Sequence, residues 1–263
     1  MIIADMHVNS TVALCQPSVQ LDDGGSYHMS KTQRWIWDNW QDMIEQVTRM
    51  RQGRLITVFN GDVCEADAKR RSLQTISRNP ATIKAHAADI IDPVAKMSDK
   101  VYFTRGTPAH SGKSSHYEES LAKDFSAVKE PSTGASSWYH LPLEVDGVRF
   151  DIAHEASMSG LPWNVKTSAT RYAARVLFQY AEQGRVPPHL AIRSHVHRWA
   201  DSYDDYPVRA IFTGCWSAAT EYINRLNAGA LGQLGAMVIL CDKGEYEVRK
   251  IQYRERAKQW TRA

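Results

Sequence analysis

Four apolar runs in this chain lead into an aspartate or a histidine: Met1 to Ala4 into Asp5, Leu55 to Phe59 through Gly61 into Asp62, Phe150 to Ala153 into His154, and Leu190 to Ile192 into the segment holding His195. Short apolar runs bounded by turn residues read as buried strands. Strands ending in acids and imidazoles gather them at one sheet edge, where open α/β sheets hold their sites. In an extended segment residues i and i+2 face the same side, so Asp5-Met6-His7 and His195-Val196-His197 each present two ligands to one point. Gly61 permits the sharp exit that turns Asp62 inward. Taken singly, each piece is an ordinary turn, helix cap or exposed histidine. Together they predict a site for two metal ions.

Between these runs the sequence is helical. Ile36, Trp40, Met43, Ile44, Val47 and Met50 share one face of a helix from Thr32 to about Arg51, with Gly53 as its C-cap. Ile83, Ala87, Ile90, Ile91, Val94 and Met97 repeat the pattern, as do Tyr172, Ala173, Val176, Leu177 and Tyr180 before Gly184 and Pro187-Pro188. Val101 to Thr104, Val208 to Thr213, Met237 to Cys241 and Tyr246 to Tyr253 read as further strands, the last two flanking an Asp242-Lys243-Gly244 turn. Val145-Asp146-Gly147-Val148 reads as a tight turn, and Cys15 to Lys31, Ser111 to Ser115, Glu130 to Ser137 and Glu155 to Asn164 as irregular stretches. Alternating strands and helices, then hairpins, predict a layered α/β sandwich. With 263 residues and no linker or repeat, a single domain spanning 1–263 is expected.

Composition narrows the class. The 43% hydrophobic and 23% charged shares are those of a globular protein, and no run reaches the roughly 18 apolar residues of a membrane span, so no membrane partner is expected. Cys15, Cys64, Cys215 and Cys241 form no CxxC pair, which speaks against a disulfide framework or a thiolate zinc site. The strand at Met1 leaves no room for a signal peptide, and a cytoplasmic location is the expectation. A net charge of +3 does not mark a dedicated nucleic-acid binder, although Lys69-Arg70-Arg71 and the tail from Arg249 to Arg262 are locally basic.

The ordered set Asp5-Met6-His7, Gly61-Asp62, Gly106-Thr107-Pro108-Ala109-His110, His154 and Ser194-His195-Val196-His197 resembles the calcineurin-like metallophosphoesterases. Their pattern runs Asp-x-His, Gly-Asp, Gly-Asn-His-Asp/Glu, His, Gly-His-x-His, and the resemblance spans residues 5 to 197. It implies a four-layer sandwich of two mixed β-sheets flanked by α-helices. It also implies that Asp5, His7 and His197 hold one metal, His154 and His195 the other, and that Asp62 bridges them. Ser194 replaces the usual Gly, and the third block departs further. Thr107 stands where Asn is expected, leaving Thr107 or water to give the neutral oxygen, and His110 lies farther along than the family's histidine. His110 is read either as the general acid or as a ligand of the second metal. The Gly-Thr-x-Ala-His-x-Gly spelling, with Gly112 and the acidic pair Glu118-Glu119 following, is similar to phage-encoded sequences, which would place the protein in a host cytoplasm.

The resemblance implies a dinuclear metal-dependent phosphoesterase whose nucleophile is a metal-bridging hydroxide, with phosphodiesters favoured over phosphomonoesters. Mixed imidazole and carboxylate ligands suit Mn²⁺ first, with Fe, Zn²⁺, Co²⁺ or Ni²⁺ as alternatives. The phosphodiester substrate is either a nucleic acid or a small molecule. The first reading, a DNA nuclease, uses Lys69-Arg70-Arg71 and Arg78 on the backbone and Tyr27 or Trp163 against bases. The second has the loops Cys15 to Lys31 and Glu155 to Asn164 close over a confined site. A noncatalytic metal- or nucleic-acid-binding protein is the rival from another class. Oligomeric state is not legible, since Leu226 to Leu234 reads equally as loop or interface.

Overall fold

The structure, a computed structural model, describes residues 1–66, 74–112, 115–156, 164–226 and 232–254. Its first sheet contains β1 (Ile2–Ile3), β4 (Ile56–Asn60), β5 (Lys100–Thr104), β6 (Ser137–Trp138), β12 (Gln233–Asp242) and β13 (Glu245–Arg254). Their order is β13-β12-β1-β4-β5-β6, with β1, β4, β5 and β6 parallel and the hairpin β12–β13 antiparallel at the other side. The second sheet has the order β10-β11-β9-β8-β7, from β7 (Leu141–Val145), β8 (Val148–Ile152), β9 (Leu190–Arg193), β10 (Ala200–Asp201) and β11 (Arg209–Phe212). Strands β8, β9 and β11 are parallel, and β7 and β10 are antiparallel edges. A small hairpin, β2 (Ser18–Gln20) with β3 (Ser26–His28), occupies part of the stretch expected to be irregular.

Side-chain alternation sorts these strands into layers. In the first sheet Ile3, Phe59, Phe103 and Ala236 pack against α1 (Lys31–Met50), α2 (Pro80–Lys96) and α3 (His116–Asp124) through Trp40, Met43, Ile90, Ile91 and Leu121. Their neighbours Ile2, Val58, Tyr102 and Met237 face the other way and meet Val148, Phe150, Ile152, Leu190 and Ile192 of the second sheet. Ala191 and Ala210, on the far face of that sheet, pack under α4 (Val165–Glu182) through Ala173, Val176 and Tyr180. The order helix, sheet, sheet, helix is the expected four-layer α/β sandwich of two mixed sheets flanked by helices.

The predicted helices lie within a few residues of their expected limits. Helix α1 begins at a capping box, Ser30 accepting from the Gln33 backbone while the Gln33 side chain accepts from Ser30 N. It stops at Arg51, whose extended backbone (φ −63°, ψ 120°) makes it the C-cap in place of Gly53. Buried Trp40 packs edge-on against Trp216 at 4.9 Å, and truncating a side chain of that size costs roughly 3–5 kcal/mol. The expected turn at Asp146-Gly147 is a hairpin between β7 and β8, with φ of 49° and 82°.

Candidate metal centre

Both sheets point the C-terminal ends of their parallel strands to one edge. Asp5 follows β1, Asp62 follows β4, Thr107 follows β5, His154 follows β8 and His195 follows β9. The two sheets are stitched together here by buried polar bonds. Asn60 Nδ2 donates to Ser194 Oγ (2.6 Å) and Ala153 O (3.1 Å), Thr104 Oγ1 donates to Asn60 Oδ1 (2.6 Å), and Ser194 Oγ meets Thr213 Oγ1 (2.8 Å). Ser194, at the usual glycine position, thus ties the sheets together. Trp216, which follows β11, donates its backbone N–H to Asp5 O (2.9 Å) and links the site to the Trp40 core.

The local backbone differs from the extended segments expected. Strand β1 ends at Ile3, and Asp5, His7, Asp62, His195 and His197 all have positive φ, of 52°, 45°, 48°, 71° and 56°. Non-glycine residues enter this region at a cost of order 1–3 kcal/mol each, and such residues cluster at functional sites. Backbone bonds hold the turns: Asp5 N to Gly61 O (3.1 Å), His7 N to Asp62 O (3.0 Å) and Val8 N to Val63 O (2.9 Å). The left-handed turns, rather than the two-residue repeat of a strand, aim Asp5 and His7 at one point. Gly61 has φ of +75°, and a Cβ there would lie 2.4 Å from His154 Nδ1, so a bare backbone is required where the two sheets meet.

The six residues proposed as ligands converge in two groups that share Asp5. One group is Asp5, His7 and His197; the other is Asp5, Asp62, His154 and His195. Asp5 Oδ1 lies 3.2 Å from His197 Nε2 and 3.8 Å from both His7 Nε2 and His154 Nε2. Asp62 Oδ2 lies 3.0 Å from His154 Nε2 and 3.8 Å from His195 Nδ1. Asp5 belongs to both groups, and Asp62, to which the resemblance gives the bridging place, faces His154 and His195 through Oδ2. Asp62 Oδ1 accepts from Thr107 N (2.6 Å) and Ser111 Oγ (3.3 Å), the Thr107 hydroxyl lies 3.1 Å from both carboxylate oxygens, and Oδ2 also faces the histidines.

These donors fit divalent ions on their own chemistry. The buried atoms Asp5 Oδ1 and His154 Nε2 have no partner in hydrogen-bond geometry. His154 Nδ1 lies 2.7 Å from the Asn60 carbonyl, and donating its proton there leaves a lone pair on Nε2 opposite the Asp62 carboxylate. Two lone pairs facing each other in a dry site need a cation between them, whether proton or metal. A backbone carbonyl fixing the other ring nitrogen is the usual support for a metal-binding imidazole.

Thr107, expected to offer a neutral oxygen where the resemblance has Asn, donates its N–H and its hydroxyl hydrogen to Asp62 and keeps its oxygen lone pairs. Gly106 makes this possible, since a Cβ there would lie 2.3 Å from Asp62 N. Behind Ser111 lies Glu118 on α3, fully buried, with Oε1 2.5 Å from Ser111 Oγ and 3.2 Å from Val63 N. Burial pushes its pKa up to about 7, and the nearby Asp62 charge adds to the rise.

His110 belongs to neither of the two groups. It sits beside His7, ring centroids 4.6 Å apart, and its Nδ1 lies 2.7 Å from Glu65 Oε2. Glu65 also lies 3.3 Å from His7 Nδ1, so one carboxylate orients both rings. It completes a third group with His7 and His110. Sequence reasoning passed over Glu65. The available signal was a carboxylate three residues after Asp62 in a stretch otherwise buried at Val63 and Cys64. Burial draws the His110 pKa down, but Glu65 outweighs it and the net shift is upward, while the same contacts hold Glu65 at about 2. Burial keeps His7 below the usual imidazole value, which suits a neutral ligand.

The electrostatics give a testable pH dependence. Burial alone would lower the His154 pKa, but the charges of Asp62 and Asp5 reverse this and raise it to about 9 in the metal-free protein. Near pH 7 that proton occupies the place a metal would take. Metal binding below pH 9 is therefore expected to release protons, and apparent affinity to weaken steadily from pH 9 to pH 6. Calorimetric Mn²⁺ titrations in two buffers of different ionisation enthalpy measure the proton count; a zero count and a pH-independent affinity would contradict this.

Other residues weighed for function fall elsewhere. Tyr27 is half-buried in the β2–β3 hairpin with its hydroxyl on Gln33, so its ring is not a free stacking face. Arg78 is exposed, and Arg249 pairs with Glu247. Lys69-Arg70-Arg71, Trp163, most of the Glu155 to Asn164 loop, residues 227–231 and the tail from 255 lie outside the described residues. Cys15, Cys64, Cys215 and Cys241 are free thiols. Among the described residues no helix is long and apolar enough to cross a membrane.

No family model and no curated protein matches this sequence. Solved structures align with it over most of its length at low identity. A single mutant of Vps29 from Entamoeba histolytica is 9% identical, with 96% of this chain and 97% of that chain covered and a TM-score of 0.43. Vacuolar Protein Sorting 29 from Cryptosporidium parvum is 10% identical, with 97% and 96% covered and a TM-score of 0.43. The hypothetical protein PH1004 from Pyrococcus horikoshii OT3 is 11% identical, with 96% and 87% covered and a TM-score of 0.46.

Proposed function

We propose that this chain is a metal-dependent phosphoesterase of the calcineurin-like kind, acting on phosphodiesters. The observation that carries the reading is the pair of ligand groups sharing Asp5 at the joint edge of two sheets, with a carboxylate-held histidine beside them. Asp5, His7 and His197 would hold one divalent ion, and Asp62, His154 and His195, with Asp5, the other; Mn²⁺ is the first candidate for this mixture of imidazole and carboxylate. Ions bound there supply Lewis acidity toward a phosphoryl group and acidify water.

The remaining roles belong to the chain's own residues. Thr107 and Ser111 fix Asp62 by its Oδ1. Glu65 Oε2 lies 3.3 Å from His7 Nδ1, its charge favouring a proton on that nitrogen and His7 Nε2 as the ligand atom, and it accepts from His110 Nδ1, which leaves His110 Nε2 to act. The Glu65 carboxylate favours the protonated form of His110, which would give its Nε2 proton to the departing alkoxide oxygen as the P–O bond breaks. His110 ends neutral, keeping the Nδ1 proton on the ring and donating it to Glu65 Oε2. That assistance matters most for an alkoxide, the leaving group of a natural diester.

Purified protein stripped with chelator and reloaded with Mn²⁺ is expected to hydrolyse bis(p-nitrophenyl) phosphate faster than p-nitrophenyl phosphate, and the chelated protein neither. Absence of turnover with Mn²⁺, Fe²⁺, Zn²⁺, Co²⁺ and Ni²⁺ alike would reject the enzyme reading.

A further inference from the structure

We infer that Tyr139, backed by Arg105, is a stacking platform for an aromatic base, and that the phosphodiester taken at the site carries a nucleobase. The inference rests on the phosphoesterase reading and adds the substrate class. Tyr139 is 68% exposed, the ring of a large side chain left at the surface. The Arg105 guanidinium lies over it at 4.0 Å from the ring centroid. The cation is itself held, because Arg105 Nε donates to Ser137 Oγ (3.2 Å), and Glu119 Oε2 accepts from Ser137 N (2.9 Å) and Ser137 Oγ (2.7 Å). Glu119 also takes the Ser136 N–H, so α3 fixes the whole turn carrying Tyr139. Among the described residues Arg105 pairs with no carboxylate, and its two terminal nitrogens make no hydrogen bond.

The pair stands at the rim of the candidate centre. Arg105 N donates to Trp138 O (2.8 Å) one step beyond the Thr104–Trp138 register of β5 and β6, and two residues later Thr107 N reaches Asp62. On the other side the chain passes through His140 into β7, where Leu141 pairs with Ile152, two residues before His154. Tyr139 thus joins β6 to β7 at the lateral edge of both sheets, one strand beyond those that lead to Thr107 and to His154. A tyrosine ring with a cation fixed on one face is pre-organised to receive a base on the other. The free guanidinium nitrogens match a phosphate of the same substrate.

Two esters with the same leaving group separate base recognition from chemistry: thymidine 5′-(p-nitrophenyl phosphate) and methyl p-nitrophenyl phosphate, each with the Mn²⁺-loaded protein. The nucleoside ester is expected to have the lower KM by roughly tenfold. Tyr139→Ala should bring the ratio of the two KM values to about one, and Tyr139→Phe should preserve it. Equal KM values in the wild type, or a ratio indifferent to Tyr139→Ala, overturn the platform while the hydrolysis itself upholds the phosphoesterase reading. Binding provides the second readout, by fluorescence anisotropy of labelled thymidine monophosphate and labelled oligothymidylate with the full chain in chelator. A roughly tenfold loss in Tyr139→Ala for either probe supports the platform even if no ester is hydrolysed, which would reject only the enzyme reading. A larger loss for the oligomer than for the monomer identifies a strand as the source of the base. Equal binding by wild type and Tyr139→Ala for both probes overturns the inference.

Discussion

Asp62→Asn is expected to leave a folded protein that has lost the second ion and its diester hydrolysis. Asp62 is fully buried, and its Oδ1 is satisfied by Thr107 and Ser111. The amide oxygen can keep those three bonds. The amide nitrogen then takes the place of Oδ2, 3.0 Å from His154 Nε2, and donates a proton into the lone pair that a metal would use. The substitution converts an electrostatic need for a cation into a satisfied hydrogen bond. Metal affinity at the second group should fall by more than about a hundredfold, beyond what supporting residues around a metal usually contribute. In chelator near pH 7 the variant should melt at a lower temperature, because the carboxylate that helps hold the His154 proton is gone. Calorimetric Mn²⁺ titration and melting in chelator check the two halves separately; an unchanged metal count would remove Asp62 from the ligand set.

The second large effect concerns His110 and Glu65. His110→Ala is expected to keep both metal ions and to slow esters with alkyl leaving groups by roughly 10²–10⁴, while p-nitrophenyl esters, whose leaving group needs no proton, slow far less. Glu65→Gln should follow the same leaving-group pattern because its carboxylate sets the His110 ring and raises its pKa. It should also weaken metal binding by about 10–100-fold, since the same oxygen orients His7. Metal content and leaving-group dependence measured on both variants discriminate the roles. Loss of metal from His110→Ala would make His110 a ligand, and equal slowing of both ester types with full metal content would remove it from the chemistry.

The layers were legible because burial leaves a period in the sequence. Ile36, Trp40, Met43 and Val47 mark one helix face, and β4, β5, β9, β11 and β13 coincide closely with their apolar runs, while β12 begins four residues before its own. Short elements carried too little of that signal. Helix α3 spans nine residues and buries only Tyr117, Glu118, Leu121 and Ala122, one of them a carboxylate, while β6 and β10 have two residues each. The six proposed ligands could be read as a set because each follows a strand, yet the local conformation was missed. Asp5, His7, Asp62, His195 and His197 occupy positive φ, a region that sequence propensity assigns to glycine and that only the surrounding bonds sustain. Partners beyond the pattern were harder still. Glu65 and Ser111 reach the site by loop geometry, and Thr107 turns to Asp62 because Gly106 lets the chain close in. Arg105 stacks on Tyr139, a pairing that no spacing in the sequence marks.

Anomalous diffraction from crystals of the Mn²⁺-loaded protein tests most directly whether two ions share one carboxylate. Two peaks per chain are predicted, both bonded to Asp5, with His7 and His197 completing one and Asp62, His154 and His195 the other. A single peak, or peaks remote from Asp5, would contradict it.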